Sequence, residues 1–124
     1  MLFAESSDVA DEQDADAVLS LLGDEYVREI LAAASREPHS ASDLSEVCDA
    51  SLSTVYRRVD DLLEHGLLVE STRIDADGTH VSVYETAVEG FHVGLADGEL
   101  RIDLDLLDDP AQRFAQIWEG IKNS

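Results

Sequence analysis

Ser51-Leu52-Ser53-Thr54-Val55-Tyr56-Arg57-Arg58-Val59-Asp60-Asp61-Leu62-Leu63-Glu64-His65-Gly66 reads as an amphipathic helix that carries its own start and stop signals. Ser51 can cap the free N–H groups of the first turn, and Gly66 suits the left-handed backbone that ends a helix. At about 100° per residue, Leu52, Val55, Val59, Leu62 and Leu63 fall on one arc and form the expected core stripe. Arg57 lies near the centre of the opposite face. Ser53 and Thr54 sit beside it, and Tyr56 and Arg58 occupy its flanks. Asp60, Asp61 and Glu64 fill that outer face in the later turns, so only the first two turns can approach an anion.

Working upstream, Ser40-Ala41-Ser42-Asp43 has the form of a capping box and opens a short helix with Leu44, Val47 and Cys48 facing inward. Asp49-Ala50 leaves room for a tight turn before Ser51. Two short helices joined this way make a helix-turn-helix pattern. Before them, Asp24 caps a helix with Val27, Ile30, Leu31 and Ala34 on one face, and Pro38 stops it. Ala15, Val18, Leu19 and Leu22 repeat at helical spacing and predict a first helix ending at Gly23. Residues 1–13 are polar, acidic and unpatterned, and are expected to be a flexible N-terminus.

Downstream, residues 67–75 and 79–86 are rich in β-branched side chains and hinge at Asp77-Gly78, a hairpin that would serve as a wing. Phe91, Val93 and Leu95 then alternate before Asp97-Gly98, and Leu100, Ile102 and Leu104 alternate after it. This predicts a second hairpin with one apolar face. Asp109-Pro110 opens a last helix, with Phe114, Ile117, Trp118 and Ile121 on one stripe. The expected fold is α+β: a winged helix-turn-helix over residues 14–88, then an additional β-hairpin and a C-terminal dimerisation helix over residues 89–124.

Charge narrows the setting. Among 124 residues, Asp and Glu number 28 against 8 Lys and Arg, a formal net charge of -20. Lys122 is the sole lysine, and the acids are dispersed from Glu5 to Glu119 rather than gathered in a tail. Such a composition resembles that of extreme halophiles, in whose molar-salt cytoplasm the Debye length falls to about 3 Å and self-repulsion is screened; a mesophilic acidic protein is the alternative. No apolar run nears the ~20 residues of a membrane span, and residues 1–8 lack the basic start of a signal peptide, so a cytoplasmic protein is expected. A single cysteine, Cys48, excludes an intramolecular disulfide and any multi-cysteine zinc site. His39, His65, His80 and His92 are scattered, and Asp75-x-Asp77-Gly78 departs from a calcium loop in its glycine spacing and lacks the distal glutamate. With no phosphate-binding glycine loop and no nucleophile elbow, neither an enzyme nor a metal or cofactor is expected.

Residues 40–88 resemble winged helix-turn-helix transcription regulators of the ArsR/PadR type, especially acidic haloarchaeal members, oxidative-stress regulators among them. The residues that carry this are those quoted above for the fourth helix, with Leu62-Leu63-Glu64-His65-Gly66-Leu67-Leu68, the wing Arg73-Ile74-Asp75-Ala76-Asp77-Gly78-Thr79-His80, and Tyr84-Glu85-Thr86. The resemblance implies that the fourth helix enters the major groove, the wing touches the backbone or minor groove, and terminal elements dimerise. Ser51, Ser53, Thr54, Tyr56, Arg57, Arg58, Arg73, Thr79 and His80 are then the expected DNA-binding residues, since arginine can take guanine O6 and N7 and hydroxyls suit phosphate or thymine. The alternative for Arg57 and Arg58 is pairing with Asp60, Asp61 or Glu64 on a solvated face. Scarcity of cations favours an anion partner.

Phe114, Ile117, Trp118 and Ile121 are the expected homodimer interface on a pseudo-palindromic double-stranded operator, with chloride or another solution anion held at the basic face. The chain lacks the clustered cysteines of ArsR-type metal sensors, so metal sensing is not expected. Cys48 reads as a small buried hydrophobe. A winged helix used for protein–protein contact, its acidic surface docking a basic partner, is the rival reading. A small-molecule sensor is compatible with DNA binding.

Overall fold

The computed structural model describes residues 12–107. Helix α1 spans Glu12–Leu22 and α2 spans Glu25–Arg36. A two-residue strand β1, His39–Ser40, leads into α3, Ala41–Cys48, and then α4, Leu52–Glu64. Strands β2, Leu68–Ile74, and β3, His80–Thr86, form the first hairpin. Strands β4, Val88–Ala96, and β5, Glu99–Leu106, form the second. The expected last helix, with Phe114, Ile117, Trp118 and Ile121, lies outside the described residues.

Local chemistry sets the helix ends. The Asp24 carboxylate accepts the Val27 N–H at 3.1 Å and caps α2. At α3 the capping box is complete: the Asp43 N–H donates to the Ser40 hydroxyl, and the Ser40 N–H donates to the Asp43 carboxylate. Helix α4 ends on Gly66 at φ 75°, with the Gly66 N–H on the Leu63 carbonyl and the Leu67 N–H on the Leu62 carbonyl. That paired closure turns the chain directly into the wing. The turn between α3 and α4 has the same form, but its left-handed residue is Asp49, at φ 53°.

The three helices pack through narrow stripes. Val27, Ile30 and Ala34 of α2, Leu44 of α3, and Val55, Val59 and Leu62 of α4 are fully enclosed, with Leu67 and Leu68 at the root of the wing. Truncating such a side chain, as in Leu62→Ala, costs about 2–5 kcal/mol. Strand β3 is central in its sheet, flanked by β1 and β2, so the wing is anchored to the segment that opens α3. The buried Thr86 hydroxyl donates to the Leu31 carbonyl at 2.7 Å and ties β3 to α2.

Three expectations are corrected. The segment after Pro38, expected to lead straight into α3, pairs as β1 with Tyr84 and Val83 of β3. Val47 and Leu52, expected in the core, are 47% and 45% exposed. Helix α3 is two turns long and buries only the Ala41, Leu44 and Cys48 stripe, which leaves Val47 one step round the helix; Leu52 sits in a first turn that reaches past the packed stripe.

The second hairpin does have one apolar face, but only its base is covered. Ile102 is buried against Ala15 and Val18 of α1, with Phe91 and Leu104 packed alongside. Val93, Leu95 and Leu100 project beyond that contact, Leu95 with 79% of its surface exposed. Asp97 and Gly98, both at positive φ, close the two-residue turn that the Asp-Gly pair predicts. The expected division after residue 88 falls at the start of β4.

Candidate nucleic-acid interface

The first two turns of α4 bring Ser51, Ser53, Tyr56 and Arg57 to an exposed surface. Ser51 is occupied as the cap: its hydroxyl accepts the Thr54 N–H at 3.2 Å and donates to the Thr54 hydroxyl at 3.0 Å. The Ser53 hydroxyl lies 3.2 Å from the Ser51 hydroxyl. Arg57 is exposed and makes no hydrogen bond or ion pair among the described residues. The acids that follow it on this face, Asp60, Asp61 and Glu64, do not hold it.

Arg58 has a different position. Its Nε and Nη2 both donate to one Asp24 carboxylate oxygen, at 3.2 and 2.9 Å, and its guanidinium lies 5.7 Å from the Tyr26 ring centroid. The sequence pointed to Asp60, Asp61 or Glu64 as possible partners, and the structure supplies an acid 34 residues away instead. Burial pushes the Asp24 carboxyl up, but the Arg58 hydrogen bond, the Val27 N–H and the Arg58 charge outweigh it and hold Asp24 below its ordinary value.

The wing separates its two expected contacts. Register pairs Ile74 with His80 and Arg73 with Val81, so Arg73 and His80 emerge on opposite faces of the hairpin. His80 shares its face with Ser82 and Tyr84. Tyr84 is buried in the core cluster, and burial raises its hydroxyl pKa, with Glu70, Tyr56 and Asp60 adding to the effect. Arg73 instead donates to Asp75 at 2.8 Å and lies 3.7 Å from Asp43 at the start of α3. Those carboxylates raise its pKa, Asp75 first. Thr79 is exposed at the tip, its N–H on the Asp77 carboxylate at 3.0 Å.

The start of α3 is already supplied with an anion of its own. Asp43 accepts the Ser40 N–H there, which is the largest cause of its lowered pKa; the Ser40 hydroxyl, Arg73 and His39 act in the same direction against burial. Among the described residues no group of three or more His, Cys, Asp or Glu side chains is placed to hold a metal ion. No helix of the described residues is long and apolar enough to cross a membrane.

With this geometry in place, residues 22–71 match the sequence profile of a helix-turn-helix domain family. The crystal structure of NolR from Sinorhizobium fredii superposes with a TM-score of 0.50 at 22% identity, covering 62% of this chain and 72% of that one. The fold is a winged helix-turn-helix. Here α3 and α4 are the two helices of the motif, and β2–β3 is the wing. An ArsR-like transcriptional regulator from Rhodococcus sp. RHA1 is also similar, at 20% identity over 90% of this chain and 79% of that one, TM-score 0.43. So is a possible transcriptional regulator from Methanosarcina mazei Go1, at 16% identity over 95% and 93%, TM-score 0.46. No match to the chain is found among curated proteins.

Proposed function

We propose that this winged helix-turn-helix protein is a sequence-specific, DNA-binding transcriptional regulator that acts as a homodimer in a high-salt cytoplasm. One observation carries the reading: Arg57, an exposed cation with no partner among the described residues, in a chain of net charge -20, stands in the first two turns of α4 beside Ser53 and Tyr56. The N-terminal half of the second motif helix is where such helices meet base edges, and arginine suits guanine there. Arg73, Thr79 and His80 of the wing are the proposed contacts to backbone or minor groove. Ser51 and Thr54 orient the first turn.

For Arg73 the DNA must displace Asp75 and Asp43, and a phosphate can replace one carboxylate by another anion of like geometry. Arg58, already shared between Asp24 and Tyr26, acts by holding α4 against α2. Dimerisation is proposed for residues 89–124, through Phe114, Ile117, Trp118 and Ile121. It would place two α4 helices about 34–36 Å apart on a pseudo-palindromic site. Leu95 and Leu100, exposed at the tip of the second hairpin, and Val93 add uncovered apolar surface that such an interface could use.

Salt enters because protein and DNA are both polyanions. Asp60, Asp61 and Glu64, brought near phosphates, need potassium between the two surfaces, while chloride leaving Arg57 acts in the opposite sense. Uptake and release largely cancel, and molar salt screens the remaining repulsion. A binding-site selection from a random duplex library, followed by gel shifts from low to molar KCl, tests the reading. Weak binding at low salt and specific binding above ~1 M KCl are expected, with a log-salt slope much flatter than the roughly −10 of a strongly basic repressor. Affinity that collapses with added salt refutes the high-salt setting. Failure to enrich any sequence at any salt refutes DNA recognition and favours a protein partner.

A further inference from the structure

Leu52 is the first residue of α4, 45% exposed, and takes no part in the packed cluster that encloses Val55, Val59 and Leu62. Four residues on, Tyr56 is 49% exposed. At about 100° per residue, the first two turns present Leu52, Tyr56, Ser53 and Arg57 in that angular order over roughly 140° of the helix. The row runs from an apolar side chain through an aromatic ring and a hydroxyl to a free cation. No acid interrupts it, because Asp60 and Asp61 come only in the following turn.

This order matches the major-groove edge of a thymine beside a guanine. Thymine offers a 5-methyl group next to the O4 acceptor, and guanine offers O6 and N7. A leucine can cover the methyl, the neighbouring hydroxyls can reach O4, and the arginine can take the guanine edge. We propose that Leu52 is a specificity-determining residue that packs on the 5-methyl group of a thymine in each half-site. The proposal rests on the DNA reading given above and adds to it the base that α4 distinguishes by apolar contact.

Deoxyuridine differs from thymidine by that methyl group alone, which makes an atom-level test possible. An operator obtained by selection with the full-length chain at molar KCl is resynthesised with deoxyuridine replacing each thymidine in turn, symmetrically in both half-sites. At one position the wild-type protein should lose about fourfold in affinity per half-site, the worth of one buried methyl group. Leu52→Ala should bind more weakly by a similar factor and be indifferent to deoxyuridine at that position. Leu52→Met, which keeps an apolar reach, should retain the sensitivity. Circular dichroism melts of both variants confirm that each is folded, as the exposure of Leu52 leads one to expect. Wild-type indifference to deoxyuridine at every thymidine overturns the proposal while leaving DNA recognition intact, and so does a Leu52→Ala protein that keeps the full deoxyuridine penalty. A library that yields no enriched sequence overturns DNA recognition and this contact with it.

Discussion

Arg58 and Asp24 join the second motif helix to the start of α2 through two hydrogen bonds on one carboxylate oxygen, while the other oxygen caps α2 at Val27. One carboxylate thus orients the helix proposed to enter the groove and terminates the helix behind it. Asp24→Ala should cost about 1–2 kcal/mol, combining the lost cap with an arginine left unpaired. Arg58→Ala should cost about 1 kcal/mol, as both groups are part-buried and only partly shielded from solvent. A double-mutant cycle in urea checks the coupling. Strict additivity would mean that the pair holds nothing in solution.

Acid should weaken the fold at two places. Burial opposes it, but hydrogen bonds from Arg58 and Val27 hold the Asp24 carboxyl below its ordinary value; Asp43 is lowered first by the Ser40 N–H. A depressed carboxyl adds stability that is complete above its unfolded pKa and is lost as pH falls through the folded one. Thermal midpoints should therefore drop as pH falls below about 5 and on through the lowered carboxyl pKa values, and drop less in Asp43→Asn. Because hydrogen bonds rather than long-range charge dominate at Asp43, molar salt should leave much of the difference in place. Identical pH profiles for wild type and variant would contradict this.

Asp49 occupies a left-handed backbone position, φ 53°, that glycine fills at the end of α4. Its side chain gains no hydrogen bond among the described residues in return. Asp49→Gly should stabilise the protein by up to about 1 kcal/mol, relief of strain being partly offset by the greater freedom of glycine in the unfolded chain. Asp49→Val should destabilise it by more than that gain. Denaturant midpoints with unchanged slopes are the measurement.

The Cys48 thiol is buried, and its pKa is pushed up to about 11 by burial first and then by Glu29 and Asp24. Thiolate, the reactive form, is therefore scarce near neutrality. Native protein should resist iodoacetamide at about pH 8, where an ordinary thiol reacts readily, and label fully once unfolded. Cys48→Ala should keep DNA binding. Equal labelling rates in the native and unfolded states would show that the site opens.

Arg57 and Arg73 should differ in what their loss does to recognition. Arg57→Ala should cost about 1–3 kcal/mol on the selected operator and relax one base position. Arg73→Ala should weaken all sequences alike, since a phosphate contact carries no base information. Repeating the selection with each variant separates the two. Equal, sequence-independent losses would reduce Arg57 to a phosphate contact.

Much of this architecture could be read along the chain because it depends on neighbours in sequence. The Ser40–Asp43 box, the Asp24 and Ser51 caps, the Gly66 closure and the Asp97-Gly98 turn each depend on a few consecutive residues, and all are present. Periodicity likewise assigned Val55, Val59 and Leu62 to the core, because an amphipathic helix exposes its period wherever it packs.

Periodicity cannot show where a core ends. Val47, Leu52, Val93, Leu95 and Leu100 all satisfy an apolar pattern and all stand exposed, since each lies past the reach of the element packed beneath its neighbours. Nor could adjacent residues distinguish Arg57 from Arg58. A step of about 100° turns one side chain to solvent and the other toward Asp24 and Tyr26, whose nearness follows from how α2 crosses α4. The same holds for the two faces of the wing, where strand register sends Arg73 toward Asp43 and His80 the other way. Short-range hydrogen bonding and hydrophobic period reside in the sequence itself; the availability of a cation or an apolar surface for a partner depends on contacts that only the folded chain brings together.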